Sequence, residues 1–538
     1  MHASVIALTP NRVSSHRERQ HAALQATWQE LLNWLTGEAA VQPIHVVAAG
    51  LQKRLTRLAL AGLSLWSALR LDETVPKMLV HGHASYSFHA WRWEPVRTRY
   101  GVFDSLEPAY VCVAGKGPRR LLPHGRRMGL ADGRMSLGVH VLVANLAARM
   151  PFKAVSEVAD AVGMWVPGRR AMLGIVDRWG PDAITAMSEA SQPDEMSEGT
   201  HVVIEQDDGG IPHVRPEELA KRRRPNKRGS RKGRKSRLEE RRRRRGRRVD
   251  RRRRRKGDKS KNCCMATVYV VYTLLVHADG TVEGPLNRQV FAATRDKARL
   301  RKRVLQAAKA RGWGVKPSIY LADGATTHWK AWKQVFHEGA PCIDWFHVAE
   351  YFWTAADAVF RVSGRQPQGK RARKAFAQRK SKAYADKAQW VRARQDELLA
   401  GDVEKALDAL RKLTDRVGAS GPGTHARRKA IRDAITYVDN HKEYMPYATL
   451  GHIVMGTGVV EATIKQLGAR MKGPGMRWSV ERAERVVALR CLQLSSGDAW
   501  ARFVERVVQA HESVTSLHVP AISPTVRLTA HTAARKAA

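Results

Sequence analysis

The sequence predicts an α/β core, a mixed five-stranded sheet with helices, interrupted by an all-α insertion and preceded by a mainly α N-terminal region. Three observations carry this. From residue 200 onward apolar, β-branched runs come first in succession and then alternate with helical stretches, as a mixed sheet covered by helices requires. Residues 346–455 hold amphipathic helical stretches and no strand pattern. Before residue 200 helical periodicity dominates.

Residues 1–135 form the first region. In LQKRLTRLALAGLSLWSALR, Leu51, Leu55, Leu58, Leu65 and Leu69 recur at helical spacing and are expected in a core. The stretch WRWEPVRTRYGVFDSLEPAYVCVAG alternates like a short β-hairpin. His81, His83 and His89 precede it without a cysteine or carboxylate at ligand spacing, so no metal is expected on them.

Residues 136–199 are expected to form a helix-turn-helix-like DNA-binding region and a linker. FKAVSEVADAVG and RRAMLGIVDRWG are separated by a turn around Pro167 and Gly168, and Arg169 and Arg170 open the second helix. Short helices joined in this way suit DNA reading, although an ordinary helical hairpin has the same spacing. The acidic linker SEASQPDEMSEGT follows.

Residues 200–345 contain the first part of the sheet. HVVIEQDD reads as a strand, and CMATVYVVYTLLVH and GPLNRQVFAAT flank the turn Ala278-Asp279-Gly280-Thr281 as a hairpin. Helix RDKARLRKRVLQAAKARG, strand SIYLADG, helix THWKAWKQVF and strand PCIDW complete it. The all-α insertion 346–455 includes DVEKALDALRKLTDRV and THARRKAIRDAITYVDNH around the loop GASGPG. Residues 456–495 return to the core, and 496–538 form a C-terminal helix and tail.

At 538 residues and 60.2 kDa the chain exceeds the usual limit of one core, so two or three domains are expected. Its formal charge of +44 attracts polyanions through counterion release, which makes nucleic acid the leading partner. Half of that charge lies in residues 221–261, where 26 of 41 positions are Lys or Arg and four are acidic. A tract of this density, including Arg243 and Arg253, cannot build a core and is expected to be a DNA-binding basic loop beside the sheet. The five cysteines are dispersed with no CxxC pair, which points to a reducing interior and no zinc site. No apolar stretch approaches the roughly 18 residues of a membrane span and the N-terminus lacks a signal-like apolar region, so a soluble, cytoplasmic protein is expected.

Phosphodiester chemistry on nucleic acid commonly uses two divalent ions about 3.5–4 Å apart, held by carboxylate oxygens. Asp208 in DDGG, Asp323 at the end of SIYLADG and Glu461 at the start of a helix are candidates, although an Asp-Gly pair is also an ordinary turn and a first-turn glutamate also favours the helix dipole.

Together, EQDDGG, YLADGATTHW, CIDWFHVAEYF and above all GTGVVEATIKQLGARMKGPGMRWSVERAERVVALR resemble the bacterial insertion-sequence transposases of the ISKra type, over roughly residues 95–495. That resemblance implies an RNase H-like core with Asp208, Asp323 and Glu461 as the catalytic, metal-binding triad of a DDE transposase. It further implies Mg²⁺, two ions, with Mn²⁺ as a substitute. The partners would be the element's DNA ends and target DNA, within a homo-oligomer, with no membrane. Asp208 is preferred because the family aspartate directly precedes glycine. Adjacent strand residues face opposite ways, so Asp207 is the fallback.

Asp344 and His347 match an Asp-x-x-His element of the family and are given a supporting role, though Asp344 suits a helix N-cap and His347 a packed histidine equally. Lys465, Arg470, Lys472 and Arg477 follow Glu461 and are expected to hold the phosphate backbone, while packing is the better reading of Trp478. Related N-terminal regions often carry paired cysteines where only Cys112 stands here, which leaves any zinc ribbon degenerate or absent. The alternatives are an inactivated, DNA-binding relative of these enzymes, a structure-selective two-metal DNA nuclease, and an arginine-rich RNA-binding protein.

Overall fold

The computed structural model describes residues 5–7, 11–187, 197–214, 263–362, 364–421, 423–474 and 476–515. The basic tract 221–261, with Arg243 and Arg253, most of the acidic linker and the tail beyond 515 lie outside the described residues. The chain divides into two compact units. One takes residues 1–142, 156–167 and those from 505, and the other takes 143–155 and 168–504.

In the first unit, α1 (Asn11–Thr36) and α2 (Ile44–Leu69) pack together around Leu31 and Trp34, with Leu51 and Leu58 against them. The leucine stripe is only partly core: Leu55 is 43% and Leu69 50% exposed. The buried residues of α2 are the small ones, Ser64, Ser67 and Ala68, and Ser67 Oγ meets Ser105 Oγ at 2.7 Å. Small side chains let the helix approach the sheet, and this close approach displaces the leucines.

The expected hairpin is longer than its alternating core implied. β1 (Ala84–Thr98) and β2 (Gly101–Gly115) run 15 residues each in a six-stranded sheet. This makes the N-terminal region a helix-and-sheet unit rather than a mainly helical one. Pairing continues past Pro95, opposite Asp104, and back to Ala84, so side chains alternate faces well beyond WRW.

Helices α3 (Leu137–Arg149), α4 (Phe152–Ala161) and α5 (Arg169–Ala186) follow in the expected order. In the second unit, α5 buries Met172, Ile175, Val176, Trp179 and Ala183 at helical spacing.

The second unit is built on a five-stranded mixed sheet of β3 (His201–Pro212), β4 (Cys263–Val276), β5 (Val282–Ala293), β6 (Ser318–Ala322) and β7 (Ala340–Ile343). Its order is β5-β4-β3-β6-β7. The first three strands pair antiparallel, whereas β6 lies parallel to both β3 and β7. Buried on both faces, β6 and the middle of β4 read as unbroken apolar runs instead of alternating ones.

The crossover after β5 is α6 (Lys297–Lys309), capped by Asp296 and buried through Leu300, Val304, Ala307 and Ala308. A shorter helix, α7 (Thr326–Ala331), continues into a π-turn between β6 and β7. Residues after β7 are helical: α8 (Trp345–Asp357), α9 (Lys370–Leu399), α10 (Val403–Asp415) and α11 (Thr424–His441). The chain then closes on the sheet with α12 (Gly458–Met471), which packs on β3 and β4, and α13 (Val480–Leu494), which packs on β5 and α5. The last described helix is α14 (Ala499–Thr515). No described helix is long and apolar enough to cross a membrane.

Candidate metal centre

Strand β3 carries the two adjacent aspartates, and its pairing with β4 runs without a shift from His201 to Pro212. Strict alternation therefore decides which way each one points. Glu205 Oε2 accepts the Val460 N–H of α12 at 2.7 Å, and a Cβ on Gly209 would lie 3.3 Å from Ile464 Cγ2 of the same helix. Glu205, Asp207 and Gly209 thus face α12.

Gln206 and Asp208 face the other way. Tyr320 hydroxyl donates to Gln206, Thr267 Oγ1 donates to Asp208 Oδ1 at 2.6 Å, and Lys297 of α6 lies 3.8 Å from the same oxygen. Of the two aspartates, the fallback Asp207 lies on the side of the Glu461 helix, and Asp208, preferred from the sequence, turns toward α6 and α7.

Asp323 directly follows β6, whose last residue, Ala322, is in register with Gln206. Asp207 and Asp323 thus come side by side where β6 ends against the middle of β3, and Asp323 stands at the carboxyl end of a parallel strand, where open α/β sheets hold their ligands. The two carboxylates interact: burial first, then Asp323, raises the Asp207 pKa above the usual carboxylate range.

Buried His328 of α7 places Nδ1 2.6 Å from Asp323 Oδ1 and Nε2 3.8 Å from Asp208 Oδ2. Burial opposes its charge, but the two carboxylates overcome this and raise the imidazole to about 9. Asp208 and Asp323 are both held below their ordinary values despite burial, each first by His328. Asp323 Oδ1 also accepts the Ala325 N–H at 2.9 Å. The glycine between them has a steric reason, since a Cβ on Gly324 would fall 2.4 Å from the Tyr437 ring of α11.

Asp344, 1% exposed, is the N-cap of α8: its Oδ1 accepts the His347 N–H at 3.0 Å. Its Oδ2 accepts from Thr457 N at 2.7 Å and from Thr457 Oγ1, which ties the start of α8 to the turn before α12. Burial works against its charge, yet the donors on His347 and Thr457 hold the carboxyl at about 2. The helix-cap reading of Asp344 is therefore the one its geometry matches.

His347 Nδ1 lies 3.4 Å from Asp344 Oδ1. Asp344 chiefly, with Asp323 and Glu461 adding to it, raises His347 to about 9 against the effect of burial. Glu461 sits in the first turn of α12, and its Oε2 lies 3.3 Å from Lys465 Nζ. Buried Glu205 accepts from Tyr272 hydroxyl at 2.6 Å as well as from Val460, and so fixes the helix start that carries Glu461. Burial lifts Glu205 to about 7.

Asp344, His347 and Glu461 each offer a ligand atom within 4.8 Å of the others, and this group could hold a metal ion. A carboxylate has about four lone-pair sites and Asp344 already accepts three hydrogen bonds, so it retains about one for a metal. Glu461 and Asp323 keep side-chain exposures of 38% and 28%. A donor set dominated by carboxylate oxygen fits a hard divalent cation.

The cations expected to hold DNA divide into two groups. Arg169, Arg170, Lys465, Lys472 and Arg477 are exposed. Arg470 is not a surface contact: it is 1% exposed, donates Nε–H to Ala147 carbonyl at 2.6 Å, and lies 4.9 Å over the Trp478 ring. Its place in α12, nine residues after the exposed-edge Glu461, turns it inward. Trp478 is 8% exposed and donates to Met471 carbonyl at 3.1 Å, in keeping with packing.

Sequence reasoning missed His328, Thr267, Glu205 and Thr457. His328 lies within the quoted run YLADGATTHW, and Glu205 within VIEQDD. His328 five residues after Asp323, and Glu205 two before Asp207, would have been signals. Compared with known proteins, the chain matches no family model, and no curated protein matches it.

Proposed function

We propose that the protein is a DDE-type transposase that cleaves and joins DNA phosphodiesters with Mg²⁺ or Mn²⁺. The observation that carries this reading is the grouping of Asp344, His347 and Glu461 at ligand distance, with Asp323 near enough to help raise the His347 pKa. Asp207 approaches from the neighbouring strand. The ligand set becomes Asp207, Asp323 and Glu461, with Asp344 and His347 supporting it and Asp208 positioning His328.

The RNase H-like reading is supported by a five-stranded sheet whose first three strands are antiparallel and whose last two continue in parallel. The helices between β7 and α12 correspond on this reading to an insertion in that core. When bound, the divalent ions would stabilise the attacking and leaving oxygens of an in-line displacement.

The chain's own groups do the remaining work. Glu205 and Thr457 fix the helix that presents Glu461. His328 binds the carboxylates of Asp323 and Asp208 through one ring. Lys465, with its side chain 76% exposed beside Glu461, can neutralise a phosphate at the site. Arg169 and Arg170 open α5, where exposed guanidinium groups suit the DNA backbone. A homo-oligomer at paired DNA ends belongs to this proposal, as does a cytoplasmic setting.

The test is Mg²⁺-dependent nicking of DNA that carries the element's ends. Asp323→Ala and Glu461→Gln should abolish nicking and leave DNA binding intact. Equal nicking by these variants, or cleavage that tracks junction shape and ignores the ends, would reject the reading.

A further inference from the structure

A cavity in the second unit has a different chemistry from the carboxylate cluster. It measures about 690 Å³, within the range of small-molecule sites. Seven of its lining residues are Lys or Arg, against two carboxylates, Asp177 and Glu481. Those two are already engaged. Asp177 pairs with Arg482 at 2.9 Å and Arg485 at 2.8 Å, and Glu481 pairs with Arg485.

Arg470 lines the same cavity from a buried position. Its Nε is fixed on Ala147 carbonyl, while its Nη2 has no hydrogen-bond partner among the described residues. Burial alone pulls its pKa down to about 10, and no carboxylate among the described residues offsets this. A guanidinium withdrawn from water without a counter-ion is costly, and an anion that enters the cavity relieves that cost.

The other lining is apolar. Phe152, Leu173 and Met476 contribute to it, and the Arg470 guanidinium stands 5.7 Å from the Phe152 ring centre. A cationic pocket with an aromatic wall matches a ligand that carries both a phosphate and a base. An inorganic anion would have no use for the apolar side.

We infer that this cavity is a nucleoside-phosphate site, which takes a nucleotide either free or as one residue of a DNA strand. Val214 lines it and donates its N–H to Trp478 carbonyl at 2.7 Å. Val214 lies just beyond the end of β3, and Asp207 lies seven residues upstream within that strand, at most roughly 24 Å away at about 3.4 Å per residue. A DNA strand held here would therefore lead toward the carboxylates. The inference rests on the reading of the chain as a DNA-handling protein, but not on metal chemistry.

The experiment is calorimetric titration of the full chain with dAMP, with 5′-phosphorylated tetrathymidylate and with inorganic phosphate at one fixed salt concentration. Binding of dAMP at least tenfold tighter than phosphate supports a free nucleotide, and binding of the tetranucleotide alone supports a strand residue. Arg169→Glu, at the exposed start of α5, and Arg470→Met should each weaken the bound species at least tenfold. Thermal melting tells whether Arg470→Met folds, and Arg169→Glu decides the matter if it does not. Phosphate binding as tightly as both nucleotides, or unchanged affinity in Arg169→Glu, overturns the inference. A chain that nicks DNA yet captures neither nucleotide defeats this inference alone, and one that captures but never nicks defeats only the metal-centre reading.

Discussion

At the scale of single residues, the direction of one side chain governs the candidate site. Period-two alternation requires Asp207 and Asp208 to point apart, and it was legible in the sequence. Which of them faces α12 was not, because VVIEQ is buried on both faces and each face carries a polar residue, so neither stands out as the solvent side. Only the contacts of Glu205 and Gly209 with α12 decide it. Asp207→Asn should therefore lose metal-dependent nicking as completely as Asp323→Ala. Asp208→Asn acts through His328 and should lose roughly 10–100-fold, as supporting groups of metal sites do. Initial-rate measurements across a Mg²⁺ series separate the two, and the reverse order would restore Asp208 as the ligand. His328 itself escaped notice because its partners are far apart in sequence and meet only when β3 and β6 pair.

Among the elements, strands and helices were mostly readable from their apolar periodicity, from HVVIEQDD through THARRKAIRDAITYVDNH. What could not be read was how they lock. Helix α12 is held to β3 by a buried carboxylate that accepts from its first turn, and α8 is held to the same region by Asp344. Glu205→Ala should cut nicking by roughly 10–100-fold without loss of Glu461, whereas Glu205→Gln, which keeps an acceptor for Val460 N–H, should stay within a few fold. If both variants are equally active, α12 does not depend on this anchor. The approach of α11 to β6 gives a second measure. Gly324→Ala should destabilise the chain by about 1–3 kcal/mol, since the new methyl meets the Tyr437 ring, and denaturant melts report it. The leucine stripe of α2 illustrates the converse: helical spacing identified the helix but not its buried side, because the buried residues are Ser64, Ser67 and Ala68, with Ser67 against Ser105 of β2.

For the molecule as a whole, charge and protonation set the conditions in which it works. In the first unit buried His124 and His140 are held neutral, first by burial and then by neighbouring cations, at about 3 and about 4 against an ordinary value of 6.5. Both pKa values are depressed, so the associated stability is complete above pH 6.5 and is lost as pH falls toward 4 and then 3. Melting temperatures should fall across that window, and His140→Gln should flatten the upper part of the slope; an unchanged slope would mean that His140 does not contribute. The +44 charge predicts DNA binding that weakens steeply with salt. The sheet also makes one operation on the chain unusually clean. Pro212 of β3 lies directly opposite Cys263 of β4, so the two ends from which residues 215–262 depart and return are already a hairpin's width apart. The stretch is a cassette: residues 213–262 can be exchanged for a two-residue Asn-Gly link, or residues 215–262 for a foreign sequence, with every register of the β3–β4 pair kept.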